Sequence, residues 1–208
     1  MTSIKLVIFD WSGVICDDFE RVYQTDMKLL NSFGIKSMSV KKYRNEYEFP
    51  YMKMYRKWGI KASKREVNKR YETLYDSIDI ETKPTPGAKE TLSWLNKKGI
   101  KVAVLSSKIR KNIIKEAKRF EILEYFSLIV GDVHDKKKVI KKIIKHFGVS
   151  SKETMFVGDT EYDVITGKKV GAYTAVTVFG FRNKSDLVKS NPDFILKTLN
   201  DLKEISLF

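Results

Sequence analysis

The chain has 208 residues, 42% of them apolar, with a single cysteine and a formal charge of +14. That composition supports a buried core and excludes a disordered, collagen-like or disulfide-built protein. No apolar run approaches the ~20 residues that span a bilayer, and Asp10 interrupts the first apolar stretch too early for a signal peptide, so a soluble cytoplasmic protein without a membrane partner is expected. Cys16, His134 and His146 are too few for a Cys/His zinc site.

The first predicted element is a strand over Ile4–Phe9, short, apolar and rich in branched residues, stopped by Asp10-Trp11-Ser12-Gly13. From Phe19 to about Asp79 the texture is polar, aromatic and helical in period, with Gly34, Pro50 and Gly59 as punctuation. Three or four helices are expected there. Tyr43, Tyr47, Tyr51, Tyr55 and Trp58 recur every three or four residues, which suits internal packing, with Tyr51–Tyr55 the stretch best placed to face a substrate. After Pro84-Thr85-Pro86-Gly87 strands and helices alternate. A helix from Ala88 to Gly99 leads to a strand Ile100–Leu105, then a basic helix Ile109–Phe120 and a strand Ser127–Gly131. A helix Lys137–Phe147 precedes a strand Thr154–Val157, a helix Tyr162–Val170 and a strand Tyr173–Val178. A short strand Asp193–Leu196 and a helix Leu199–Ile205 close the chain. Such alternation predicts parallel pairing through right-handed crossovers. The fold class is therefore α/β, a Rossmann-like doubly wound parallel sheet interrupted by an α-helical insertion.

The charge is uneven. Between Lys97 and Glu153 there are 16 basic and 6 acidic residues, against 15 and 11 between Asp17 and Lys83. Lys138, Lys141, Lys142 and Lys145 share one face of a predicted helix whose other face carries Val139, Ile140, Ile143, Ile144 and Phe147. This reads as a solvated amphipathic face. A nucleic-acid surface is the competing reading, and no aromatic-interleaved or finger-like motif supports it.

Ligands of open parallel sheets bind at the carboxyl ends of the strands. Asp10, Ser106, Ser107, Asp132, Lys136, Asp159 and Asp163 stand at or just beyond those ends. Converging carboxylates repel unless a hard cation joins them, and Mg²⁺ prefers oxygen ligands. A hydroxyl, a helix start and a lysine suit a phosphate group.

Four pieces carry a resemblance: Phe9-Asp10-Trp11-Ser12-Gly13-Val14, Val104-Leu105-Ser106-Ser107, Lys136, and Val157-Gly158-Asp159-Thr160-Glu161-Tyr162-Asp163. In this order, over essentially the whole chain, they resemble the haloacid dehalogenase superfamily of hydrolases, in its phosphoglycolate-phosphatase-like branch. The resemblance implies a Mg²⁺-dependent phosphatase acting on a small phosphomonoester through an aspartyl-phosphate. It implies a core domain of 1–16 and 84–208 and a helical cap of 17–83. Asp10 would be the nucleophile, and Ser106 with the Ser107 N–H would bind phosphoryl oxygens. Lys136 would neutralise phosphate and Asp10, with Lys137 and Lys138 as neighbours in register. Mg²⁺ would take Asp10, the Ser12 carbonyl and Asp159, with Asp163 as a ligand or supporting partner. Whether the protein is a monomer or a dimer stays open.

One position departs from the family. Most of its phosphatases carry an aspartate two residues after the nucleophile, as the acid that protonates the leaving oxygen, and here that residue is Ser12. Positioned acid–base catalysis is worth about 10²–10⁴-fold, so hydrolysis of ordinary esters should be weak unless another group, such as Asp17 or Asp18, substitutes. Other readings stay open. The chain could be an attenuated phosphate-binding relative. It could resemble phosphonoacetaldehyde hydrolases, which read Asp-Trp-Ala-Gly at this place and use a cap lysine, for which Lys53 is one candidate. Dehalogenases also lack the second aspartate, but Asp159 and Asp163 argue against that branch. A nucleic-acid-associated basic protein is the reading from another class.

Overall fold

The computed structural model describes residues 3–133 and 135–208 and divides into two compact units, 1–17 with 83–208, and 18–82. His134 lies outside the described residues.

The larger unit is built on a six-stranded parallel sheet. Its strands are β1 (Leu6–Phe9), β4 (Lys101–Leu105), β5 (Leu128–Val130), β6 (Thr154–Gly158), β7 (Tyr173–Thr177) and β8 (Phe194–Leu196), in the spatial order β5-β4-β1-β6-β7-β8. All four residues of β1 are buried, as a strand covered on both faces requires. Period-two alternation sends Val7 and Phe9 into one core with Val102, Val104, Leu92 and Ile113. Leu6 and Ile8 enter the other, with Ala103, Leu105, Ile140, Ile143 and Phe156. The first core is closed by helices α5 (Ala88–Lys97) and α6 (Arg110–Arg119), the second by α7 (Lys136–Phe147).

Strand register aligns the ends of the three central strands. Phe9 pairs with Val104 of β4 on one side and Val157 of β6 on the other. The residues after these strands therefore emerge side by side, where the strand order reverses.

The expected α/β core is present, with differences at its margins. Leu199–Glu204 is a 3-10 helix, because Leu199 and Leu202 are buried three residues apart, the period of that helix. A six-residue helix α9 (Lys184–Lys189) was not expected, since it buries only Leu187 and so has no periodic stripe. Two-residue strands β2 (Cys16–Asp17) and β3 (Lys83–Pro84) pair antiparallel where the chain leaves and re-enters this unit.

The smaller unit holds helices α1 (Phe19–Ser32), α2 (Val40–Glu46), α3 (Tyr51–Lys57) and α4 (Lys64–Asp76). Ser39 and Ser63 cap α2 and α4 by accepting from Lys42 N and Glu66 N. Tyr43, Tyr47, Tyr55 and Trp58 are buried and packed ring against ring. Tyr51 donates to Asn68 at 2.9 Å. The aromatic series thus forms the interior of this unit. Among the described residues no helix is long and apolar enough to cross a membrane.

Candidate active site

β1, β4 and β6 deliver Asp10, Ser106 and Asp159 to one sheet edge, and α7 and α8 (Glu161–Val170) begin there with Lys136 and Asp163. Asp10, Ser106, Lys136, Asp159 and Asp163 are all at least nine-tenths buried. Carboxylate oxygens of Asp10, Asp159 and Asp163 lie within 4.8 Å of one another.

Lys136 Nζ stands between two of them, 2.5 Å from Asp10 Oδ2 and 2.7 Å from Asp163 Oδ1. Burial alone would lower the pKa of this ammonium, but the charges of Asp10 and Asp163 overcome that and raise it. It is a fixed cation. Lys137 and Lys138 are exposed, so the structure separates three residues that sequence left adjacent.

Asp10 is raised above the usual carboxylate range by burial, with Asp163 adding to the rise. The charge of Lys136, and hydrogen bonds from Lys136 and Ser106, pull the other way. Its other oxygen accepts the Trp11 N–H at 2.6 Å. Asp159 is raised well above that range by burial, then by the charges of Asp163 and Asp10. Its Oδ2 accepts the Phe181 N–H at 2.6 Å. Asp163 uses both oxygens within the protein. Oδ1 holds Lys136, while Oδ2 accepts from Thr160 Oγ1 at 2.6 Å and from the Asp159 and Thr160 N–H groups. Together with Thr160 it forms the capping box of α8.

The backbone is pressed against this cluster. Gly13 has φ of 70°, and a Cβ there would collide with the Asp159 carboxylate. Gly180 meets the same carboxylate, and Gly158 meets Asp163. Only glycine fits. Ser12 is half-buried, its backbone bridged to Cys16. Ser106 Oγ accepts the Lys108 N–H at 3.3 Å, and Ser107 is half-buried beside it.

Asp132 does not join the cluster. It is exposed, with φ of 59°, and its carboxylate accepts the Arg110 N–H at 3.1 Å at the start of α6. Asp17 is exposed. Two participants escaped the sequence reading. The Phe179-Gly180-Phe181 loop follows β7 at the same edge, and its glycine was the available signal. Glu116 was the other, marked only as the lone acid in a basic helix.

A buried carboxylate gripped by an ammonium, with two further carboxylates and a serine hydroxyl alongside, thus lies at the carboxyl edge of a parallel sheet, where open α/β sheets bind their ligands. Residues 7–177 match the family described as haloacid dehalogenase-like hydrolase, and the chain belongs to that family.

Among curated relatives, a pyrophosphatase PpaX of Halalkalibacterium halodurans is 33% identical over 127 residues, 59% of each chain. The match thus spans about three fifths of that relative's length. A phosphoglycolate phosphatase of Aquifex aeolicus is 27% identical over 97% of this chain and 96% of its own. A haloacid dehalogenase-like hydrolase from Streptococcus pneumoniae superposes with a TM-score of 0.82 at 21% identity, covering 98% of this chain and 99% of that one. That likeness bears on the fold.

Proposed function

We propose that the chain is a phosphatase of the haloacid dehalogenase type, acting on a small phosphomonoester with Asp10 as nucleophile. The observation that carries this reading is the Asp10 carboxylate itself, buried at the end of the central strand and gripped by Lys136. The relatives named as phosphoglycolate phosphatase and pyrophosphatase support a small phosphorylated substrate.

Of the three clustered buried carboxylates, Lys136 contacts those of Asp10 and Asp163, and burial with mutual repulsion raises Asp10 and Asp159. An all-oxygen set of this kind fits a hard divalent cation, and we assign Mg²⁺. Asp10, Asp159 and the Ser12 carbonyl would hold it, while Asp163 secures Lys136 and the Asp159 loop. When bound, the cation would offset carboxylate repulsion and polarise a phosphoryl oxygen.

The remaining steps belong to the chain's own residues. Lys136 and Ser106 bind and orient the phosphoryl oxygens, and the Ser107 N–H adds a donor. An Asp10 oxygen attacks phosphorus, the ester oxygen leaves, and the aspartyl-phosphate is hydrolysed by water. Ser12 cannot protonate the leaving oxygen as a carboxylic acid does. Turnover should therefore be fast only where the leaving group needs little protonation. The helical unit 18–82 is inserted directly after the loop that bears Asp10, which supports a role as a cap that selects substrate and excludes water. A cytoplasmic location suits a phosphatase of small metabolites.

Phosphate release from 2-phosphoglycolate and from inorganic pyrophosphate, each with Mg²⁺ and with EDTA, tests the substrate class. Mg²⁺-dependent release from either supports the reading, and release from neither, with aryl phosphates also inert, removes it. Ser12 specifically favours a second reading, an attenuated relative that binds Mg²⁺ and phosphate without turnover.

A further inference from the structure

Trp11 adjoins the nucleophile directly and is fully buried. Its ring stacks on Phe120, with centroids 6.2 Å apart, and meets Phe126 edge-on at 6.0 Å. Its indole N–H donates to Glu116 Oε2 at 2.6 Å. The other oxygen of that carboxylate accepts the Lys108 ammonium at 2.7 Å, and both side chains are only 11% exposed. Glu116 is the sole acid of α6 and is turned inward, whereas Arg110, Lys111, Lys115, Lys118 and Arg119 of that helix are exposed.

Each bond reaches a different loop of the site. The Trp11 N–H holds Asp10 Oδ1 at 2.6 Å, so the seat of Trp11 sets the orientation of the nucleophile. The Lys108 N–H holds Ser106 Oγ at 3.3 Å, so the seat of Lys108 sets the serine hydroxyl. The bonds to the Glu116 and Asp10 carboxylates, at 2.6–2.7 Å, are charge-assisted and directional. The amide bond to Ser106 is a longer neutral one, and misplacement by about 1 Å costs roughly 10²-fold in rate.

We infer that Glu116 is a positioning residue that ties the loop of the nucleophile to the loop of the phosphate-binding serine. Its kinetic consequence rests on the phosphatase reading; its structural consequence does not. In the intact protein, Glu116→Ala removes both bonds, whereas Glu116→Gln keeps an acceptor for the indole and loses the charge that holds Lys108. Amide hydrogen exchange should accelerate in residues 10–16 and 106–109 of the alanine variant, but only in 106–109 of the glutamine variant. With an aryl phosphate, kcat should fall about tenfold in Glu116→Gln, equivalent to about 1.4 kcal/mol, and further in Glu116→Ala. The KM for aryl phosphate should move less than kcat.

If the alanine variant does not fold, the glutamine variant decides. Faster exchange confined to α6, or spread evenly over the whole unit, overturns the inference, as does an unchanged kcat. If the wild-type protein itself shows no hydrolysis dependent on Asp10, the phosphatase reading falls, and exchange alone decides the role of Glu116.

Discussion

In the proposed mechanism Ser12 takes the place of the acid that protonates the leaving oxygen, and its carbonyl is the expected metal ligand. Restoring a carboxyl group should therefore act on chemistry alone. Ser12→Asp should raise kcat on alkyl phosphomonoesters by about 10²-fold and on aryl phosphates by much less, read as the ratio of the two rates. Lys136 makes the opposite kind of prediction. It is the ammonium in contact with both Asp10 and Asp163, and breaking a buried ion pair costs about 3–5 kcal/mol. Lys136→Met should lower the melting temperature at pH 7, and part of that loss should return as acid protonates the buried carboxylates.

At the scale of elements, what was readable in sequence was what packing repeats. β1, β4 and β6 are apolar runs cut off by Asp10, Ser106 and Asp159, so both the strands and the site edge were legible. The lysine register was legible. Sequence favours Lys136 over Lys137 and Lys138, and the structure shows why: it continues the inward stripe of Ile140 and Ile143 at spacings of four and three, although the helix starts one residue earlier than expected. Phe181, Gly180 and Glu116 carried only faint signals, a glycine after a strand and a lone acid in a basic helix, because their contacts with Asp159 and Trp11 join residues more than 20 positions apart.

The helical unit holds a further buried group that periodicity passed over. Asp26 accepts from Tyr43 at 2.6 Å and Tyr55 at 2.5 Å, and burial raises it to about 7 despite those two bonds. Its folded pKa exceeds the ordinary 3.8. Its favourable contribution is therefore complete below pH 3.8 and is lost as pH rises through about 7. The change is on the order of 4 kcal/mol for roughly three pK units. Asp26→Asn should flatten this dependence, so that thermal denaturation finds the variant more stable than wild type at pH 8 and not at pH 4.

For the whole molecule, the charge of +14 and the cation site make separate predictions. Exposed lysines crowd α7, whereas the proposed phosphate chemistry belongs to the buried sheet edge around Asp10 and Lys136. DNA or RNA should show no retention in a gel shift at low salt; strong retention that falls steeply with salt would support the competing nucleic-acid reading. Mg²⁺ at about 100 times its dissociation constant should stabilise the fold by about 2.7 kcal/mol. Calorimetry should find that rise in wild type and not in Asp159→Asn.

The most direct measurement is hydrolysis of an aryl phosphate by wild type and Asp10→Asn, each with Mg²⁺ and with EDTA. The good leaving group removes the need for the acid that Ser12 does not supply. Turnover should require both Mg²⁺ and Asp10, and fall to background when either is withdrawn. Hydrolysis that persists in Asp10→Asn, or is indifferent to EDTA, would contradict the assignment of Asp10 as a metal-assisted nucleophile.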